Sequence, residues 1–253
     1  MALLECQFGS EVLSKNMSMK VILPQERRSD GEGHPTLYLL HGFSDNHTAW
    51  TRCTSLERYA EEKNLAVVMP AVDNSYYADM RYGGSYWTFL TEELPKTARS
   101  MFPLSAKREN NFVAGQSMGG FGALKWALNH PDCFAAAASL SGVTDMVYHL
   151  QNVRRENSDK SRYLSLVFGD KDISGTIDDL LYQLRYLDGS AAEKPALYQA
   201  CGTEDFLYEH NRRFLHACKE TSFELTTDFG PGDHEWQYWD QVIQRVLRWL
   251  PIK

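Results

Sequence analysis

Along this chain, apolar residues come either in short unbroken runs or at three- and four-residue intervals. The runs "TLYLLHG", "LAVVMPA", "NNFVAG", "FAAAASLSG" and "PALYQACG" have no polar alternation. They predict strands buried on both faces, as in a parallel sheet. A further strand is predicted at "FELTTDF". Helical periodicity appears around Ser55–Lys63, Trp87–Met101, Met118–Leu128 and Asn211–Lys219. The last helix has the clearest stripe: Trp239, Val242, Ile243, Val246, Leu247 and Leu250 share a face, and Pro251 ends it. At the start, "CQFGSEVLSKNMSMKVILP" alternates on either side of Lys15-Asn16 and predicts an antiparallel hairpin. Strands alternating with helices predict an α/β fold, a mostly parallel sheet covered by helices on both faces.

Between Thr144 and Glu193 the pattern breaks into charged segments with short apolar pieces, "RYLSLVFGD" and "IDDLLYQLRYL". This stretch reads as a cap-like insertion over the sheet, poor in core residues. Residues 1–253 then form a single domain, with no repeat, low-complexity tract or interdomain linker. A chain of 253 residues can bury roughly 70–75% of its unfolded surface and needs neither disulfide nor metal to fold.

Charge narrows the partners. A net charge of -7 argues against a nucleic-acid backbone, and the basic clusters are interrupted by acids and amides. Five scattered cysteines without CxxC spacing argue against structural disulfides and fit a reducing compartment. "MALLECQFGSEVLSK" lacks a basic start and a long apolar run, so no secretory signal is read there. With no run of 18 apolar residues either, no membrane span is expected, and the expected location is the cytoplasm.

The candidate chemistry centres on "NNFVAGQSMGGFGALKWALNHP". Gly115 and Gly119 flank Ser117 symmetrically between an apolar strand and a helix pattern. G-x-S-x-G in that context is a nucleophile elbow: a tight, strained turn that exposes the serine oxygen at a strand's carboxyl end. A plain helix cap would explain one glycine, but not the pair.

A serine hydroxyl needs a base, and the base an orienting acid, in the chain order Ser, acid, His for this arrangement. His216 falls at helical spacing, and His210 has no loop of its own. His234 lies in "DFGPGDHEWQYW", a Gly/Pro-rich loop between the last strand and the last helix, and is the candidate base. The acid should follow the preceding strand. "CGTEDF" offers Asp205, with Glu204 second, and Asp170 and Asp172 in the insertion are weaker rivals. Two backbone N–H groups are expected to face the developing oxyanion: Met118, and Phe43 in "LYLLHGFSDNHTAW". His41 precedes the nucleophile and reads as a loop-fixing residue.

The aromatic segment "DNSYYADMRYGGSYWTF" follows a sheet strand, so its tyrosines are candidates for a pocket mouth. Tyr82 and Tyr86 are taken as substrate contacts, together with Trp236 beside the base. No metal site is predicted, because "HEWQY" lacks the second histidine of a zinc helix. No dinucleotide or phosphate loop appears, and no cofactor is implied.

With "LYLLHGFSDNHTAW", "NLAVVMP", "FVAGQSMGGFGALKWAL", "CGTEDFLYEHN" and "GDHEWQYWD" in place, the chain resembles the esterase D / S-formylglutathione hydrolase-like α/β-hydrolases. Within them it is most similar to bacterial tributyrin-esterase-type carboxylesterases. The resemblance implies an α/β-hydrolase fold, the triad Ser117, Asp205 and His234, and a small-molecule ester as substrate, and it suggests a homo-oligomer. His41-Gly42-Phe43-Ser44-Asp45 departs from the Leu-Ser/Asn-Gly-Leu-Thr-Cys-type loop of formylglutathione hydrolases, which favours short acyl esters over glutathione thioesters. Feruloyl or acetylated-sugar esters, and acyl transfer to another acceptor, stay open as alternatives.

Overall fold

The computed structural model describes residues 1–26, 31–156 and 158–252. Eight strands form one sheet: β1 (Ala2–Ser10), β2 (Lys15–Leu23), β3 (Thr36–Leu40), β4 (Ala66–Pro70), β5 (Asn111–Gln116), β6 (Ala136–Leu140), β7 (Ala196–Gly202) and β8 (Leu225–Gly230). Their order is β1-β2-β4-β3-β5-β6-β7-β8. The β1–β2 hairpin pairs Ser10 with Lys15 and joins β4 antiparallel, while β3 to β8 run parallel.

The unbroken apolar runs are explained by burial on both sides. Leu37, Leu39, Val67, Met69, Phe112 and Ala114 belong to one apolar cluster, whereas Tyr38, Leu40, Val68 and Val113 belong to the other. The first cluster is closed by α1 (Ala49–Cys53), α2 (Leu56–Glu61) and, much later, the last helix. The second is closed first by the helical run Tyr86–Met101. That run is not one regular helix. A wide π-type turn at Phe89–Glu93 separates α3 (Tyr86–Thr88) from α4 (Leu94–Met101), and the Leu94 N–H donates to the Phe89 carbonyl five residues back. Pro95 follows immediately and has no N–H to place in a regular ladder, so the irregularity falls beside it.

After β5 comes α5 (Met118–Asn129), then the helices α6 (Met146–Glu156), α7 (Asp159–Phe168) and α8 (Leu180–Asp188), and finally α9 (Tyr208–Lys219) and α10 (Trp236–Trp249). The 144–193 segment is richer in core residues than its sequence implied. Leu164, Val167, Phe168, Leu180, Leu184 and Leu187 are all buried in the same cluster as α5. Its helices are short and their outer faces charged, so periodicity over a long window missed them. Among the described residues, no helix is long and apolar enough to cross a membrane. The five cysteines are all free.

Candidate active site

The sheet order reverses at β3: the chain steps from β3 to β4 on one side, then returns to β5 on the other. The carboxyl ends of β3 and β5 therefore leave a crevice between diverging connections, where ligands bind in such sheets. His41-Gly42-Phe43 leaves β3 there, and Ser117 leaves β5.

The turn at Ser117 is forced by close approach. A Cβ on Gly115 would lie 2.4 Å from the Gly119 backbone, and one on Gly119 would lie 2.4 Å from the Leu40 carbonyl oxygen. Only glycine allows β5, β3 and α5 to come this near. Ser117 itself takes φ 54 and ψ -117, a region that L side chains seldom occupy, and its N–H is anchored on the Leu140 carbonyl at 2.9 Å. Strain of this kind costs about 1–3 kcal/mol and persists only where the surroundings hold it. Met118 is the first residue of α5, so its N–H has no acceptor within the helix.

Three distant side chains meet at this point. His234 Nε2 lies 2.9 Å from Ser117 Oγ. His234 Nδ1 lies 2.9 Å from Asp205 Oδ2 and 3.1 Å from Oδ1. Asp205 is buried, and its Oδ1 accepts the Leu207 N–H at 2.8 Å, which fixes the carboxylate plane. The imidazole is clasped between Phe206, at 4.5 Å between ring centroids, and Trp239, edge-on at 4.9 Å. Trp239 is held in turn by its indole N–H, which donates to Ser141 Oγ.

Glu204, the second choice for the acid, points elsewhere. Its carboxylate accepts the Gly232 N–H at 2.6 Å, and its own N–H donates to the Gly232 carbonyl. The Gly232 N–H and the Thr203 hydroxyl hold its carboxyl below the ordinary glutamate value. It pins the loop that carries His234. Asp172 accepts from Ser174 within its own exposed turn. His210 is buried against His149, and His216 is exposed on α9.

A cleft of about 200 Å³ opens beside Ser117, lined by Phe43, Tyr76, Val143, Lys160, Phe206, Leu207 and His234. Of the four tyrosines in the aromatic segment, Tyr76 is the one on its wall. The three residues taken as substrate contacts are not on it. Tyr82 is exposed beneath Arg81. Tyr86 is engaged by Lys15 and Asp73. Trp236 packs edge-on against Trp50 and Trp239. Phe206 follows the candidate acid directly and could have been read from that adjacency. Nothing in the sequence marks Lys160, which comes from the insertion.

His41 lies buried under the loop after β3. Its Nδ1–H donates to the Gly42 carbonyl at 2.8 Å, and its Nε2 accepts the Val72 N–H at 3.2 Å. This fills both nitrogens in one neutral tautomer, and burial pushes its pKa down to about 4. The unfolded chain, titrating near 6.5, takes up the proton first on acidification. Stability is therefore complete above about pH 6.5 and declines as the pH falls toward 4. His41 alone should lose about 2 kcal/mol between pH 6.5 and 5. His149, buried beside Lys160 and pushed down to about 3, adds to the same trend. Urea unfolding at pH 7 and pH 5 should show a clearly lower midpoint at pH 5. Equal midpoints would contradict the buried neutral imidazoles.

Similarity to known proteins places the chain in a family. The family model described as "Putative esterase" matches residues 10–250. An acetyl esterase from Caldicellulosiruptor saccharolyticus is 30% identical over 262 residues, covering 99% of this chain and 98% of the relative. Among solved structures, the fluorophosphonate-binding serine hydrolase FphF of Staphylococcus aureus superposes with a TM-score of 0.89 at 38% identity, covering 98% of both chains. The S-formylglutathione hydrolase FrmB of the same organism gives 0.86 at 38% identity with the same coverage. The chain belongs to this esterase family and is a serine ester hydrolase with the α/β-hydrolase fold.

Proposed function

We propose that the protein hydrolyses short-chain acyl esters by way of an acyl-enzyme on Ser117. The observation that carries this reading is the unbroken relay Asp205–His234–Ser117, each link at 2.9 Å. His234 Nε2 takes the hydroxyl proton as Ser117 Oγ bonds to the ester carbonyl carbon. The carbonyl oxygen, now an anion, is received by the Phe43 and Met118 backbone N–H groups, each contributing about 3–4 kcal/mol by analogy with measured donors. The tetrahedral species collapses, the C–O bond to the alcohol breaks, and His234 returns its proton to the leaving oxygen. Water then repeats the sequence on the acyl-enzyme, releasing the acid and restoring Ser117. Asp205 holds the imidazole and balances its transient charge.

The cleft is small, about 200 Å³, and Phe43, Tyr76, Val143 and Leu207 make it largely apolar. This suits a small acyl group, in keeping with the acetyl esters named for one relative. The expected order of kcat/KM on p-nitrophenyl esters is acetate and butyrate well above octanoate. A rate rising steadily to octanoate would overturn the short-acyl reading. The panel should include S-formylglutathione, the substrate named for one similar structure at 38% identity.

A further inference from the structure

Lys125 sits on α5 about 12 Å along the helix from Ser117, and its side chain is fully buried. Removing an ammonium from water costs several kcal/mol, and methionine or leucine would fill the same space without that cost. The contacts made by the ammonium show what it joins. It lies 2.6 Å from Asp178 Oδ1, in the insertion just before α8, and donates to the Tyr77 carbonyl at 2.8 Å. The Trp87 ring centroid lies 4.2 Å from it.

Tyr77 occupies an unusual turn. Tyr76 and Tyr77 both have positive φ, 50 and 53, which costs bulky residues roughly 1–2 kcal/mol each. The turn sends the two rings in different directions. Tyr76 lines the cleft beside Ser117, whereas Tyr77 lies against α5, where a Cβ on Gly122 would come within 2.4 Å of its ring. The Tyr77 hydroxyl then donates to the His41 carbonyl at 2.8 Å. That carbonyl belongs to the peptide immediately before the one carrying the Phe43 N–H. Contacts thus run from Asp178 through Lys125 to the Tyr77 backbone, and through the Tyr77 side chain from its hydroxyl to His41 at the oxyanion loop. A second tie runs beside it, from Asn129 Nδ2 to the Ile177 carbonyl at 3.2 Å.

We infer that Lys125 and Asp178 are a latch that couples the seating of the insertion to the oxyanion loop, with Tyr77 as its arm. All three are positioning residues, and none lines the cleft. The inference rests on the serine-esterase reading and adds that transition-state stabilisation depends on a contact far from the reacting atoms. Loosening the latch lets the Phe43 N–H drift. Substrate still enters, but the oxyanion is held less well.

The test uses the full chain with Tyr77→Phe at one end of the relay and Asp178→Asn at the other. Tyr77→Phe removes a single hydroxyl and leaves the ring packing intact, so it serves even if Asp178→Asn folds poorly. Four quantities are read: kcat and KM on p-nitrophenyl butyrate, the inhibition constant of a trifluoromethyl ketone that Ser117 converts to an oxyanion, and the thermal midpoint. The expected result is a fall in kcat of about 10- to 100-fold with KM nearly unchanged, and a matching loss of ketone affinity. The double variant should lose little more than the worse single one, because both break one chain. A lowered midpoint with wild-type kcat and ketone affinity would make the latch purely structural and overturn the proposal. If the wild type itself neither hydrolyses the ester nor binds the ketone, the underlying esterase reading fails with it.

Discussion

Replacing Ser117 with alanine is expected to lower kcat on p-nitrophenyl butyrate by on the order of 10⁴–10⁶, leaving the fold intact. The magnitude follows from the cooperative relay: without Oγ, His234 Nε2 has no proton to take and no acyl-enzyme forms. The fold survives because the turn is set by Gly115, Gly119 and the Ser117 N–H bond to Leu140, none of which involves the hydroxyl. The backbone adds a control. Alanine keeps the strain of φ 54 and ψ -117, whereas glycine relieves it. Ser117→Gly should therefore be as inactive as Ser117→Ala and melt at a higher temperature. Calorimetry and ester hydrolysis on the same samples check both points. Near-normal turnover by Ser117→Ala would remove the assignment.

The second large effect is at Asp205. Asparagine there should cost on the order of 10⁴ in kcat, as a triad aspartate does elsewhere, while His234 stays in place. The direction follows from the carboxylate's two bonds. Asp205 Oδ1 accepts the Leu207 N–H, so in Asp205→Asn the amide oxygen takes that position and the NH₂ faces His234 Nδ1. The imidazole must then accept at Nδ1 and carry its proton on Nε2, where it can no longer take one from Ser117. Glu204→Gln is the matched control. It loosens the Gly232 loop without touching the imidazole, and only a severalfold loss is expected. Equal losses for the two variants would show that loop position, and not the tautomer, governs the rate.

The residues proposed to carry the chemistry were legible because each occupies a place that backbone geometry restricts. Gly115 and Gly119 could be read from their symmetry about Ser117, and the structure supplies the reason, an approach of 2.4 Å that no Cβ survives. Asp205 and His234 follow the last two strands, where a parallel sheet presents loops on one edge. The cleft wall was not legible in the same way. Tyr76, Tyr82 and Tyr86 lie within one short segment, yet only Tyr76 faces the cleft, and the positive φ at Tyr76 and Tyr77 that decides this has no glycine to signal it. The insertion read as poor in core residues because α7 and α8 each bury only one narrow apolar stripe, Leu164, Val167 and Phe168 in one and Leu180, Leu184 and Leu187 in the other. Lys125 was the least legible. A lysine amid "GALKWALN" reads as a helix surface position, and it sits fully inside because Asp178, the Tyr77 carbonyl and the Trp87 ring, all distant in sequence, receive its ammonium.

A fluorophosphonate bonds covalently only to a serine whose proton is being withdrawn. Labelling the wild-type protein, digesting it and locating the adduct by peptide mass spectrometry reads the relay at its nucleophile. Modification of Ser117 alone, abolished in His234→Ala, is the predicted result. An unlabelled protein, or an adduct on another serine, would contradict it.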